Sequence, residues 1–236
     1  MQDIGDHPYK SIVCADCGEM IRVPDYCGDR MCSICSRKRA FRIGARLNEF
    51  MKICQLREKE RFVHVVLTIK NQEALRPMLK HLVRSFRKLR NRKAWRRIVS
   101  GGAFVVEVSG SPGSWHGHLH IVCQASYFPQ YLLLEKWRQV AGSAGAFIKS
   151  VPRDAIIRYL TKYITKPSVS ESGLEEINNS LKDVRMFQPF GSWFKLLKKY
   201  MPPRFPCPCC GGQVWKSWDL ICLRNDPREI LACKWP

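Results

Sequence analysis

The sequence lacks several features that define common classes of protein. It has no run of about 20 apolar residues, which excludes a transmembrane helix of ordinary length. Residues 1–6 have neither the basic segment nor the apolar segment of a signal peptide, so we expect a cytoplasmic protein. None of its histidines stands in a His-x-Glu motif, which excludes the usual zinc deaminases. Internal repeats and long low-complexity tracts are also missing.

Acidic residues are scarce. The 236 residues include 20 Asp and Glu against 40 Lys and Arg, for a net charge of +20. Such an excess favours a nucleic acid or an anionic membrane surface as the partner. Apolar residues at helical spacing predict a helix over residues 73–93, and many basic residues lie on its far face and just after it. They are Arg84, Arg87, Lys88, Arg90, Arg92, Lys93, Arg96 and Arg97. The sequence leaves open whether they contact phosphates or only solvent.

Twelve cysteines stand out in a chain expected to be cytoplasmic, where clustered cysteines more often bind zinc than form disulfides. The pairs Cys14-x-x-Cys17 and Cys32-x-x-Cys35 have the spacing of two zinc knuckles. We therefore predict a Zn²⁺ site formed by these four thiolates, with Cys27 as a substitute ligand. Four thiolates leave no open coordination position, so this zinc would be structural.

A second cysteine-rich segment lies towards the other end of the sequence. Cys207-x-x-Cys210 is followed by two glycines and resembles one knuckle of a zinc ribbon. The cysteines further on, Cys222 and Cys233, do not form a CxxC pair. The sequence thus indicates a second candidate zinc site formed by these four residues.

Half of the six histidines lie in one short segment, Trp115 to Val122, which has the pattern of a β-strand. On a strand His118 and His120 point to the same face, where two neutral imidazoles can bind one divalent cation. The alternative is a half-buried strand with a histidine-rich face. Residues 103–108 predict the other strand of a hairpin, on which Glu107 would join the histidines if the register allows.

The segment from Ala155 to Lys166 predicts a helix that ends before Pro167. Tyr159 and Tyr163 are four residues apart and therefore lie on one face. By themselves they are typical of core aromatic residues. His64, in a predicted buried strand over residues 61–70, is likewise typical of a core histidine.

Together these segments resemble the HUH endonucleases, the rolling-circle replication initiators (Rep proteins) and their relatives. Phe62 to Lys70 looks like the first-motif strand of that family. Trp115 to His120 matches its His-hydrophobe-His metal motif, and Tyr159 to Lys166 looks like its two-tyrosine nucleophile motif. Cys27 to Cys35 is similar to segments that precede the nuclease domain in plasmid Rep proteins and related transposases.

Tyr159 stands where some single-tyrosine initiators have a glutamate, so the chain looks like the two-tyrosine branch, which includes phage initiators and a group of transposases. The resemblance implies that Tyr163 or Tyr159 attacks DNA to give a 5′-phosphotyrosine and a free 3′-hydroxyl. It also favours Lys166 as a phosphate contact. Mg²⁺ or Mn²⁺ at His118 and His120 would polarise the scissile phosphate.

The resemblance implies an α+β fold, in which an antiparallel sheet of the ferredoxin or RRM type carries the histidines and helices pack on it. Small zinc modules would flank this domain. We predict a zinc module with a basic helix over residues 1–56, the nuclease domain over 57–168, a linker with a basic and aromatic segment over 169–200, and a zinc-ribbon-like module over 201–236.

The sequence therefore predicts a nickase and strand transferase that initiates rolling-circle replication of a plasmid or phage. Its partners would be single-stranded or cruciform origin DNA. No Walker A loop is visible, so a host helicase would have to unwind the duplex and a host polymerase would extend the 3′-hydroxyl. A single-strand transposase with the same chemistry and a non-catalytic zinc-ribbon protein that binds nucleic acid are the alternatives.

Overall fold

The computed structural model describes residues 8–28, 32–162, 168–169, 173–182, 184–194 and 206–217. It has two compact units, a smaller one formed by residues 1–28 and 203–236 and a larger one formed by residues 29–202. This division differs from the four consecutive domains predicted, because the two cysteine-rich ends of the sequence share one unit and the basic helix belongs to the other.

The structure contains the predicted strands over residues 61–70, 103–108 and 115–122 and the predicted helix over residues 73–93. The strands are β1 (Tyr9–Cys14), β2 (Met20–Pro24), β3 (Arg61–Ile69), β4 (Val99–Ser111), β5 (Ser114–Ala125), β6 (Ala144–Ser150), β7 (Ser168–Val169), β8 (Phe187–Gly191) and β9 (Trp215–Ser217). The helices are α1 (Ser33–Ile53), α2 (Leu75–Asn91), α3 (Lys93–Ile98), α4 (Gln130–Ala141), α5 (Ala155–Lys162) and α6 (Leu174–Leu181). Among the described residues, no helix is both long and apolar enough to cross a membrane.

The larger unit is built on a β-α-β-β-α-β arrangement from β3 to β6. The strands lie in the order β6-β3-β5-β4, and every neighbouring pair is antiparallel. This is the split βαβ pattern of ferredoxin-like folds. On the far side of β4, β8 pairs with it antiparallel and the short β7 pairs with it in parallel. The predicted α+β class, with an antiparallel sheet and packed helices, is confirmed.

The hairpin of β4 and β5 has a tighter turn than the sequence predicted. The strands pair as far as Ser111 and Ser114, so Pro112 and Gly113 alone form the loop. Gly113 has φ of 87°, and Pro followed by such a Gly is the preferred centre of a type II turn. A two-residue loop fixes the register of the strands and sets Glu107 directly opposite His118.

One face of this sheet packs against α2, α4 and α6. The leucines of α2 that recur at helical spacing are buried there against Val65, Leu67 and Ile121. Gly117, between two histidines of β5, allows this close contact, because a Cβ atom at that position would lie 2.3 Å from Met78 Sδ. The alternation of β5 therefore places its histidines on the opposite face.

The opposite face is only partly apolar. Phe62, Val105 and Val122 pack there with residues of α1 and α5 and with the fully buried Trp193. The Trp193 indole N–H donates to Gln124 Oε1 over 2.6 Å. Nearer the hairpin turn, the same face carries polar side chains in place of the apolar ones. These polar side chains form the site described next.

Candidate active site

Glu107, His118 and His120 come together on the polar part of the sheet. Their ligand atoms all lie within 4.8 Å of one another. His118 and His120 share a face because they are two residues apart on β5, and Glu107 joins them because β4 sets it opposite His118. The sequence left the register open, and the structure brings the three side chains together.

His120 is held by a hydrogen bond or close polar contact at each ring nitrogen. Its Nε2 lies 2.7 Å from Glu107 Oε2, and its Nδ1 lies 3.3 Å from His64 Nε2. The His64 and His120 rings are nearly parallel, with centroids 5.5 Å apart. His120 and His64 are 6% and 3% exposed, so water cannot easily replace these contacts. Such partners are the usual means of fixing the orientation of a metal-binding histidine.

The charge states of the site suit a divalent cation. Burial, together with the neighbouring His116, lowers the pKa of His118 to about 4. Burial and the nearby His120 also lower the pKa of His64 to about 4. Burial alone would raise the pKa of Glu107, but the hydrogen bond from His120 and the surrounding charges lower it overall. Near neutral pH the site therefore offers the Glu107 carboxylate and the neutral imidazole of His118, donors that fit a divalent metal ion.

His116 lies on the same face of β5 but does not join this cluster. Its Nδ1 forms a hydrogen bond with Asn71 Oδ1, and its ring centroid is 4.3 Å from that of His118. The group of side chains that could hold a metal includes only Glu107, His118 and His120 among the described residues of this face. His116 therefore lies next to His118, outside the candidate metal site.

Helix α5 brings Tyr159 to the edge of the cluster. The Tyr159 ring lies 4.7 Å from the ring of His64, and the ammonium of Lys149 lies 5.1 Å from the centre of the Tyr159 ring. A hydrogen bond with Lys149 lowers the pKa of Tyr159, and burial opposes this only in part. Ile156 and Leu160 anchor the helix in the core beneath. Tyr163 and Lys166 lie outside the described residues.

Basic side chains surround Tyr159. Lys149 on β6 and Arg158 and Lys162 on α5 are exposed, and their positive charges also lower the pKa of the tyrosine. The basic residues predicted on α2, and those of α3, belong to the helix layer on the other face of the sheet. Except for the half-buried Arg90, whose guanidinium lies over Phe86 and Phe190, they are exposed.

His64 is the site residue whose role the sequence did not indicate. It is buried, as predicted for a core histidine, but it lies between His120 and Tyr159. Its position on β3, two residues from Phe62 and Val66, places it on the histidine face. The position of His64 along β3 indicates a place in the site only once the pairing of β3 with β5 is known.

The cysteines are grouped differently from the prediction. Cys14 and Cys17 lie with Cys207 and Cys210, and the ligand atoms of all four fall within 4.8 Å of one another. Cys32 and Cys35 lie instead at the start of α1 in the larger unit, where the Cys35 amide donates to Cys32 Sγ. Spacing within a CxxC pair does not determine which second pair completes a site. Of the remaining predicted ligands, Cys27 is exposed after β2, while Cys222 and Cys233 fall outside the described residues.

Comparison with known proteins gives one match. The family model Rep_1, described as a replication protein, matches residues 19–146, which is more than half of the chain. The matched span contains Glu107, His64, His118 and His120 and ends before the tyrosine helix. Searches of the curated proteins and of the solved structures found no match. The chain therefore belongs to the Rep_1 family of replication proteins.

Proposed function

We propose that this replication protein nicks one strand of its origin DNA and becomes joined to the new 5′ end through Tyr163 or Tyr159. The observation that supports this most directly is the convergence of Glu107, His118 and His120 beside the helix that carries Tyr159. Membership of a replication protein family supports origin DNA as the substrate. The order of the metal motif and the tyrosine motif agrees with the resemblance to HUH endonucleases.

The reaction is a transesterification. The phenolic oxygen of the tyrosine attacks the scissile phosphorus, the bond from phosphorus to the 3′ oxygen breaks, and that oxygen leaves with a proton as a free 3′-hydroxyl. Mg²⁺ or Mn²⁺ bound by Glu107, His118 and His120 would stabilise the charge that develops on the phosphate. The phosphotyrosine ester preserves the bond energy, so the strand can later be rejoined without ATP.

The residues around Tyr159 have separate roles in this scheme. A phenol with an ordinary pKa of about 10 is a weak nucleophile at neutral pH. The positive charge of Lys149 favours the phenolate of Tyr159, as the lowered pKa of that tyrosine indicates. Lys162, or Lys166 as the family resemblance favours, would neutralise the phosphate. His64 would hold His120 so that its Nε2 stays directed at Glu107 and the metal.

Two tyrosines allow two cleavages. While one tyrosine holds the first 5′ end, the other would cleave the origin again after the strand has been copied. A host polymerase would extend the 3′-hydroxyl, and a host helicase would unwind the duplex. This cycle is rolling-circle replication of a plasmid or phage, and it is the function we propose for the chain in the cytoplasm of its host.

The proposal predicts a covalent protein–DNA adduct. Purified protein is incubated with labelled single-stranded DNA from its own origin in Mg²⁺ or Mn²⁺, and the products are separated under denaturing conditions. We expect a metal-dependent adduct that survives detergent and heat. Each of Tyr159→Phe and Tyr163→Phe should reduce turnover, and the double variant should form no adduct, since no nucleophile remains.

Tyr131→Phe provides the matched control, because Tyr131 on α4 is 74% exposed and belongs to the other helix layer. It should form the adduct at the parent rate. The metal assignment is tested with the His118→Ala/His120→Ala variant, which should lose cleavage while still binding DNA. The proposal would be overturned if that variant cleaved DNA normally in Mn²⁺. It would also be overturned if the parent protein bound several origin segments but formed no adduct with any of them, a result that would favour a non-catalytic binding protein.

A further inference from the structure

We propose that Cys14, Cys17, Cys207 and Cys210 bind a single Zn²⁺ ion that joins two distant segments of the chain in one module. Cys14 and Cys210 are separated by 196 positions in the sequence, yet both belong to the smaller unit. The inference does not depend on the proposed DNA chemistry. It takes one CxxC pair from each of the two zinc sites predicted from the sequence and joins them in one site.

The two cysteine pairs have the same backbone structure. In the first, the Gly18 N–H donates to the Cys14 carbonyl, and the Cys14 N–H donates to the Glu19 carbonyl. In the second, the Gly211 N–H donates to the Cys207 carbonyl, and the Cys207 N–H donates to the Gly212 carbonyl. Each turn is thus a Cys-x-x-Cys-Gly loop closed by the same pair of hydrogen bonds.

The glycines show why each loop has its sequence. Gly18 and Gly211 have φ of 79° and 75°, a conformation that suits glycine and that turns the chain back after the second cysteine. Two loops of one local design are typical of zinc ribbons, in which each loop supplies two thiolates to a tetrahedral ion. The CxxC pairs in the sequence indicated the two loops, but only the hydrogen bonds show that the two loops have the same backbone structure.

A small sheet holds the two loops together. β1 pairs antiparallel with β2 and also with β9, so that Cys14 lies opposite Trp215. The Ala15 N–H donates to the Val214 carbonyl and extends this contact to the first loop. Because β9 follows the second loop directly, strand pairing sets the two CxxC pairs against each other.

The distances between the sulfur atoms fit a shared ion. The Sγ atoms of Cys14 and Cys210 are 3.6 Å apart, as are those of Cys17 and Cys207. Four sulfur atoms at about 2.3 Å from a tetrahedral Zn²⁺ are about 3.8 Å from one another. A disulfide would require about 2.05 Å. The observed separations therefore match the edges of a zinc tetrahedron.

The surroundings of the sulfur atoms also suit thiolates. The Gly212 N–H lies 3.4 Å from Cys210 Sγ and donates to it, which stabilises a charged sulfur. A Cβ atom on Gly212 would lie 3.2 Å from Cys14 Sγ and would contact the Asp16 carboxylate, so the backbone at Gly212 lies close to the first loop. A set of four thiolates in this arrangement selects zinc over Mg²⁺ or Ca²⁺ and leaves no open coordination position.

The test is the zinc content of the full chain and its variants after purification without added metal. Cys14→Ser and Cys207→Ser should each lower the zinc content by one equivalent. The double variant Cys14→Ser/Cys207→Ser should lose the same single equivalent, because both residues bind one ion. Cys209→Ser, adjacent to Cys210 and outside the cluster, should keep the parent content.

Cobalt spectra distinguish a specific loss of zinc from one that merely reflects unfolding. The parent protein loaded with Co²⁺ should show the absorption bands of a tetrahedral tetrathiolate site. Cys210→His should still bind one ion, with the spectrum changed to that of three sulfurs and one nitrogen. The proposal would be overturned if the double variant lost two equivalents of zinc, or if the parent protein contained iron in place of zinc. An unchanged zinc content in Cys207→Ser would overturn it as well.

Discussion

At the scale of single residues, His64 connects the candidate metal ligands to the tyrosine helix. A series of side-chain contacts runs from Glu107 through His120 and His64 to the Tyr159 ring. Burial favours the neutral form of His64, and its Nε2 lies 3.3 Å from His120 Nδ1, within reach of a hydrogen bond that holds the His120 ring in place. His64 is therefore a positioning residue, and its effect on the proposed reaction would pass through His120.

These buried histidines predict that stability depends on pH. The pKa values of His64 and His118 are lowered to about 4 in the folded protein, against about 6.5 in an unfolded chain. The unfolded state therefore binds protons first as the pH falls from 6.5 towards 4, and the free energy of unfolding decreases over that range. For one buried histidine the decrease is roughly 1–3 kcal/mol.

Urea denaturation between pH 7 and pH 4.5 in the presence of EDTA measures this dependence. The parent protein should lose stability steadily towards acid pH, and His64→Gln should show a shallower dependence, because the glutamine does not titrate. An identical pH dependence in the parent and in His64→Gln would contradict the assignment of a neutral, buried His64.

At the scale of elements, two contacts position the site: the β4–β5 hairpin and the packing of α1 against α5. Gly102 lies in the hairpin close to the neighbouring strand, and a Cβ atom there would be 2.4 Å from the Val122 carbonyl oxygen. Gly44 lies in α1 against α5, and a Cβ atom there would meet Ile157 and Thr161 at 3.5 and 3.6 Å. The first position has no room for a methyl group, while the second has ordinary contact distances.

Opposite effects of the same substitution are therefore expected. Gly102→Ala should lower the free energy of unfolding by about 1–3 kcal/mol, since the backbone of β5 cannot move away without breaking its pairing. Gly44→Ala should raise it by about 0.5–1 kcal/mol, because alanine restricts the unfolded chain more than glycine and favours the helix. Chemical denaturation of the two variants provides the comparison. A large loss of stability in Gly44→Ala would contradict the described packing of α1 on α5.

The larger unit as a whole carries positive charge on both layers of its sheet. The α2–α3 residues lie on one side, and Lys149, Arg158 and Lys162 surround Tyr159 on the other. A net charge of +20 favours binding to any nucleic acid, whatever its sequence. The proposed cleavage site requires that a single strand at the point of nicking contact the Tyr159 side.

Two double variants that remove equal charge separate these surfaces. For a short single-stranded oligonucleotide that spans the nick site, Lys149→Gln/Arg158→Gln should reduce the slope of log K against log salt by about 0.7 for each phosphate that the variant no longer neutralises. Arg87→Gln/Lys88→Gln on α2 should leave that slope close to the parent value. Fluorescence anisotropy at several salt concentrations gives both slopes. A larger effect of the α2 variant would place the strand on the other face of the sheet.

Much of this protein was determined by the sequence alone. The strands β3, β4 and β5, the helices α2 and α5, the shared face of His118 and His120 and the excess of basic residues are local or compositional properties. Periodicity in a single segment predicts such features, because a strand or helix repeats its direction at a fixed interval. Segment ends were less accurate: β4 spans Val99–Ser111 rather than residues 103–108, and β4 and β5 extend almost to each other.

Only the tertiary structure decided which segments meet. The register that sets Glu107 opposite His118 depends on the two-residue turn between Ser111 and Ser114. The contact of His64 with His120 depends on the pairing of β3 with β5. The union of Cys14 and Cys17 with Cys207 and Cys210 depends on the pairing of β1 with β9, across most of the chain. The spacing of residues along the sequence determines which side chains a segment presents on one face. Hydrogen bonds and burial between distant segments determine which other segments it contacts.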